Sequence, residues 1–368
     1  MHWIIPNSDL DEVNAPAFAY VGRDGQIWIQ DWEKNRRTLS LGAKEATWPR
    51  WSPDGQWILY FHEQDAGLLV SVCSVDGNEE RVVGIFSEEI PIFAQWSPNG
   101  KQIVLLMQGI DLELWLCDID ELGTHQLVET GGPIFFSWEG FGESLLVHTM
   151  QKKGSRLIRH YVHDSAPEIL SSKTGLFCVP LVVPQGILFV EKRHETAKIC
   201  LLHGSDIDEI HSRRGFVSMC LSPDSRYCAF AGEEQKLEIF DVVQQRVLLS
   251  IDTHVQSMWW KNHSTELIFS KVAQNNASVQ WFALHMDTGE VRLLHRFCPS
   301  QDQMFALHFF EQFGQVHNML DANGKYLLFG TIEKKGLTIP QIHSFCFDSQ
   351  RSEFQAEGRF ASLRPYAF

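Results

Sequence analysis

Residues 51–61 read WSPDGQWILYF, a Trp-Ser-Pro-Asp-Gly stretch set directly before a run of large apolar residues. Proline fixes its own φ and cannot donate to a strand ladder, and Asp-Gly tolerates the positive φ of a tight turn. The stretch therefore predicts a strand, a turn and a second, buried strand. It returns as WSPNGKQIVLL from residue 96 and as LSPDSRYCAF from 221. Weaker copies stand at 138 (WEGFG), 182 (VVPQG), 260 (WKNHS), 320 (LDANG) and 363 (LRPYA). All but the last lead into apolar runs such as WILYF (57–61), QIVLLM (102–107), SLLVHT (144–149) and YLLFG (326–330).

A second element follows each run. It is a short alternating strand closing near an acidic residue, as in IWIQD (27–31), LWLCD (114–118) and LEIFD (237–241), and a polar turn then leads to a fourth strand. Four short strands per unit, with no helical period between them, read as the blades of an all-β propeller. The third strand occurs eight times, but its first copy (27–31) precedes the first Trp-Ser-Pro anchor. The expected solution is eight four-stranded blades in one domain over 1–368, the C-terminal strand around 360–368 completing the N-terminal blade. Seven blades is the alternative if that strand does not pair. The anchor tryptophan is expected to pack between neighbouring blades, so the motif is punctuation for a blade.

These repeats, WSPDGQWILYF, WSPNGKQIVLL and LSPDSRYCAF, resemble those of TolB-like propellers and of the propeller portions of dipeptidyl peptidase IV relatives. The resemblance implies the fold and, more loosely, protein binding. It implies no activity, since no hydrolase domain follows the repeats. TolB itself has a separate N-terminal domain, whereas the first blade here is expected to start near residue 17.

Composition narrows the function classes. The net charge of −15 argues against a sequence-independent grip on nucleic acid. No stretch approaches a membrane span, so no membrane insertion is expected. The N-terminus shows no signal peptide, and the acidic DLDEVN (9–14) reads as a solvated face. The eight cysteines (73, 117, 178, 200, 220, 228, 298, 346) form no CxxC pair, which suits reduced, buried thiols in the cytoplasm.

No GxSxG elbow, Gly-rich phosphate loop, HExxH or EF-hand spacing is present. No cofactor and no metal are expected. A propeller can nonetheless assemble a site from several blades, which makes His148, His163, His203, His254, His285, His308 and His317 worth following. One segment breaks the rhythm: anchors lie 39 to 45 residues apart except between 260 and 320, a gap of 60. The excess is an insertion over 298–319 that carries Phe305, His308, Phe309, Phe310, Glu311, Gln312, Phe313, Gln315 and His317. Insertions in repeat proteins map to one face, often the binding face, and aromatics beside amides and a carboxylate suit a ligand or peptide contact. The bland reading is a loop or short helical turn that plugs the channel end or packs on neighbouring blades. FFEQF (309–313) is also similar to a Phe-Phe-Asp-Gln-Tyr stretch before the last repeat of TolB-like propellers, with no activity attached.

The innermost strands give one residue per blade just before each anchor: Arg50, Gln95, Ser137, Cys220, Trp259 and Met319. This rim is mixed rather than charged, and Arg50 is its candidate anion contact. The expected function is a non-enzymatic protein-interaction or scaffold module. The alternative is an enzyme (lyase or hydrolase) or small-ligand binder at the channel mouth, and a third reading is a subunit of a larger assembly.

Overall fold

The computed structural model describes residues 17–39, 44–64, 67–87, 89–120, 125–151, 154–163, 166–174, 178–273, 278–313, 317, 319–332 and 339–365. The 9–14 segment and Gln315 lie outside them. The described strands form an all-β propeller of seven sheets. Six sheets have four strands each, drawn consecutively from 44–86, 90–131, 134–171, 181–214, 217–252 and 257–297. The seventh has six strands and joins the two ends of the chain.

Seven is thus the alternative count, but reached with the C-terminal strand paired. The strand Arg351–Leu363 is long enough to serve two neighbours. Its first half pairs with Pro340–Cys346, and its second half pairs antiparallel with Phe18–Gly22, Leu363 opposite Phe18. The expected completion of the N-terminal strands by the C-terminal strand is observed, and because that one strand serves both end units, the eight units of the sequence are drawn into seven sheets. The innermost strand of the last unit shrinks to a single bridge between Leu320 and Leu327.

The apolar runs are continuous because the inner strands are buried on both faces. From Gln102 to Met107 every residue is buried. The core is laminar, lying between adjacent sheets. Leu59, Phe61 and Val72 of one sheet pack with Ala94, Ile103 and Leu105 of the next, and Leu188 and Ile199 pack with Phe230 and Phe240.

Four of the anchors fold into a local hydrogen-bond circuit. At Trp-Ser-Pro-Asp-Gly, the Ser52 hydroxyl donates to Asp54 Oδ1 (2.5 Å) and accepts from Trp57 N–H (2.9 Å). Asp54 Oδ1 also accepts from Gln56 N–H at 3.0 Å. Ser97 with Asn99, and Ser222 with Asp224, repeat the circuit at nearly the same distances. Asp321 does the work of both residues in LDANG, accepting from Lys325 and Tyr326 at 2.6 Å. The fifth position takes positive φ throughout: Gly55 at 66°, Gly100 at 71°, and Ser225 at 58°. The serine holds a left-handed conformation that costs a non-glycine residue about 1–2 kcal/mol.

Three of the four anchor tryptophans fasten blade to blade. Trp51 Nε1 donates to Ser362 O (3.0 Å), Trp96 Nε1 to Arg50 O (3.2 Å) and Trp260 Nε1 to Cys220 O (3.0 Å). In each case the acceptor is the residue just before the preceding blade's anchor. All eight cysteines are free thiols, five of them buried. Among the described residues no helix is long and apolar enough to cross a membrane.

Candidate functional site

The inner strands all run the same way round the ring, so their first residues gather at one end of the channel and their anchors at the other. The segment between the strands Val291–Phe297 and Tyr326–Ile332 folds at the first end. It forms helix α1 (Gln301–His308) and the single turn α2 (Phe310–Phe313).

Four blades hold these helices through side-chain amides and acids. The Gln312 amide accepts from Phe136 N–H (3.0 Å) and donates to Phe136 O (3.2 Å), completing both backbone groups of an inner strand. Gln303 accepts from Gly330 N–H at 2.8 Å. Gln256 donates to Leu307 O (3.3 Å), and Asp302 accepts from Phe360 N–H (2.7 Å). The Ser218 hydroxyl donates to Glu311 Oε1. The aromatic residues divide by direction. Phe310 is buried against Trp259, their rings 6.2 Å apart. Phe305 packs on Trp48 at 5.6 Å, and Trp48 on Phe360 at 4.6 Å. Phe309 lies 4.8 Å from Phe305 but is 53% exposed.

Beside the helices lies a bowl of about 1320 Å³. Its wall includes Ile90, Ile92, Phe135, Phe216 and Phe309, with Glu311 among its polar groups. Burial pushes the Glu311 carboxyl up to about 7, with the Ser218 hydrogen bond opposing. Burial and then the Arg50 guanidinium push His317 down to about 3, leaving a neutral imidazole. Burial lowers Arg50 itself to about 9, and its guanidinium lies 4.6 Å from the centre of the Phe93 ring.

The insertion residues Phe305, Phe309, Glu311 and Gln312 thus come together at the bowl, with His308 exposed on its edge. Phe310 faces the core instead, and Phe313 ends α2. Arg50 lies deeper in the channel, outside the bowl's lining. The other histidines scatter: His148 is buried, His203 meets Asp208 at 2.7 Å, His254 joins the bowl, and His163 is exposed. His285 is half-buried on the strand Val279–His285. Among the described residues no three His, Cys, Asp or Glu are placed to hold a metal. Sequence reasoning missed Ser218, Gln256 and Asp302 as the anchors of the cap. The first two stand three and four residues before their blade anchors, a register in which they could have been found.

No protein-family model and no curated protein matches the sequence. Solved propellers match its fold. A dihydro-heme d1 dehydrogenase, NirN, superposes with a TM-score of 0.63 at 15% identity, over 96% of this chain and 75% of that one. An oligogalacturonate lyase in complex with manganese gives 0.55 at 13%, over 92% and 98%. TolB from Acinetobacter baumannii gives 0.47 at 12%, over 94% and 81%. At these identities the likeness is one of fold alone.

Proposed function

We propose that the chain is a non-enzymatic interaction module whose docking surface is the bowl beside α1 and α2. The observation that carries this reading is the size and lining of the bowl. At about 1320 Å³ it exceeds the roughly 300–1,000 Å³ of small-molecule sites, and its wall is largely apolar. The occupant of that chemistry is a loop of a partner protein led by apolar side chains. Phe309, exposed at the turn between two helices otherwise tied down by four blades, is the anchor such a loop would meet.

The test is recovery of partners from the host by wild type, Phe309→Ala and a control change, Val243→Ala, at an exposed residue outside the bowl's lining. A partner recovered with wild type and Val243→Ala is then purified and titrated. Its Kd is expected to rise roughly 30-fold for Phe309→Ala. Equal affinity for a folded Phe309→Ala protein would remove the bowl from the account. Phe310 is unsuitable for this test because its ring is part of the core. The alternative, chemistry on a small ligand, draws on Glu311, whose raised pKa beside Ser218 suits proton transfer near neutrality.

A further inference from the structure

The cap is tied to the inner strands largely through amides, Gln256, Gln303 and Gln312, yet position 311 carries a carboxylate. Its attachment needs only an acceptor. The Ser218 hydroxyl donates to Glu311 Oε1, a bond that a glutamine would accept without the cost of burying an ionisable group. Glu311 lines the bowl and keeps part of its surface open to it. Besides Ser218 and its own backbone N–H, no donor meets the carboxylate among the described residues. We propose that the bowl selects a partner loop carrying a lysine or arginine beside its apolar residues, and that Glu311 is the acceptor of that basic side chain. This inference rests on the docking reading and adds the partner's charge to it.

The surroundings of Glu311 leave a place for a cation. The turn α2 packs on the strands Val217–Leu221 and Ser257–Trp260, and neither carries a charged residue. Cys220 on the first of them, and Cys178, whose thiol feels Glu311, are both pushed up by burial and stay neutral. Of the described residues lining the bowl, the charged ones are Glu233, Asp302 and Glu311 against Arg359, with His254 and His308 at exposed positions. Asp302 is engaged by Phe360 N–H at 2.7 Å. The Arg359 guanidinium lies 5.3 Å from the centre of the Phe360 ring, and its charge does not act on Glu311. The described lining is therefore acidic in balance, and a basic side chain is its complement. Burial leaves Glu311 partly protonated at neutral pH, at about 7. A cation within reach favours the ionised form, so the carboxyl releases its proton as the partner seats. The rings of Phe305 and Phe309, 4.8 Å apart in the same lining, offer faces to the stem and head of a long basic side chain.

The probes are matched sets of acetylated, amidated hexapeptides built from leucine, phenylalanine and serine, with one central residue varied. That residue is arginine, lysine, norleucine or glutamate. Each set is titrated against wild type, Glu311→Gln and Phe309→Ala at about pH 6 and about pH 8. At pH 8 the arginine or lysine set is expected to bind wild type at least tenfold tighter than the norleucine set, with the glutamate set weakest. The preference should shrink severalfold at pH 6, where Glu311 is largely protonated. Glu311→Gln keeps Glu233, Asp302, Arg359, His254 and His308. It should lose both the preference and its pH dependence while still binding the norleucine set. Phe309→Ala should weaken the basic and norleucine sets alike. Tighter binding of the arginine set assigns a guanidinium, and tighter binding of the lysine set assigns an ammonium. Binding without preference for a basic residue, or a preference that survives in Glu311→Gln, overturns the proposal and leaves the docking surface standing. Binding of none of the sets overturns the proposal together with the docking reading.

Discussion

Glu311 and His317 respond to acid in opposite senses. The carboxyl of Glu311 is held at about 7, above its ordinary value near 4.5, because burial disfavours its charge. The folded state therefore binds more protons than the unfolded chain between those values, and this group's contribution falls as pH rises from 4.5 to 7. His317 and His148 are lowered by burial, to about 3 and about 4. Unfolding lets them take up protons below about 6.5, so their contribution is lost as pH falls from 6.5 toward those values. Two imidazoles outweigh one carboxyl, and overall stability is expected to rise from pH 4.5 to 6.5. Glu311→Gln removes the opposing slope. It should make that rise steeper and stabilise the protein by about 2 kcal/mol at pH 7.5, with little effect at pH 4.5. Denaturant midpoints of both proteins at the two pH values check this. Equal gains at both would mean that Glu311 is charged or neutral alike in the folded and unfolded states.

At the scale of elements, the two helices act as a cap held by side-chain amides as well as by the buried Leu307 and Phe310. α1 buries only Gln303, Ala306 and Leu307. Gln312 on α2 attaches the cap at two points, since one amide serves both the N–H and the C=O of Phe136. Gln312→Leu keeps the bulk and strands both backbone groups in a buried place, at about 1–3 kcal/mol each. Hydrogen exchange at Phe136 and across 301–313 should accelerate at least tenfold in this variant, while the strand Gln102–Gln108 stays protected. Unchanged exchange would show that the cap is held elsewhere. The sequence made the existence of this element visible, through the 60-residue gap between anchors, but not its attachment. Ser218, Gln256 and Phe136 are distant in the chain and reach the cap only because the ring brings the first residues of its inner strands together. The anchors themselves were legible because their chemistry is local: Ser52, Asp54 and Gly55 close a circuit within a few residues. The long-range half of the anchor, an indole clasping the preceding blade, follows from closure of the ring and not from the motif.

Closure is the property of the whole molecule, and it rests on one strand. Arg351–Leu363 holds the last unit with its first half and the N-terminal strand Phe18–Gly22 with its second. The count from sequence divided these halves between two blades because it treated each anchor as the start of a new unit. The continuous strand instead makes a single six-stranded sheet, so the ring is fastened by hydrogen bonds between its two ends. Removing residues 358–368 would leave Phe18–Gly22 as an open edge and take Ser362 O away from the Trp51 indole. An exposed edge of buried, apolar character pairs with other chains. The truncated protein is expected to lose on the order of 3–5 kcal/mol, a large part of a typical domain's margin, and to form oligomers. A synthetic 358–368 peptide added in trans should restore the midpoint and the monomer in a saturable way, because it supplies the missing strand. A truncated chain that stays monodisperse and melts like wild type would show that the ring is held shut by packing between sheets and not by this strand.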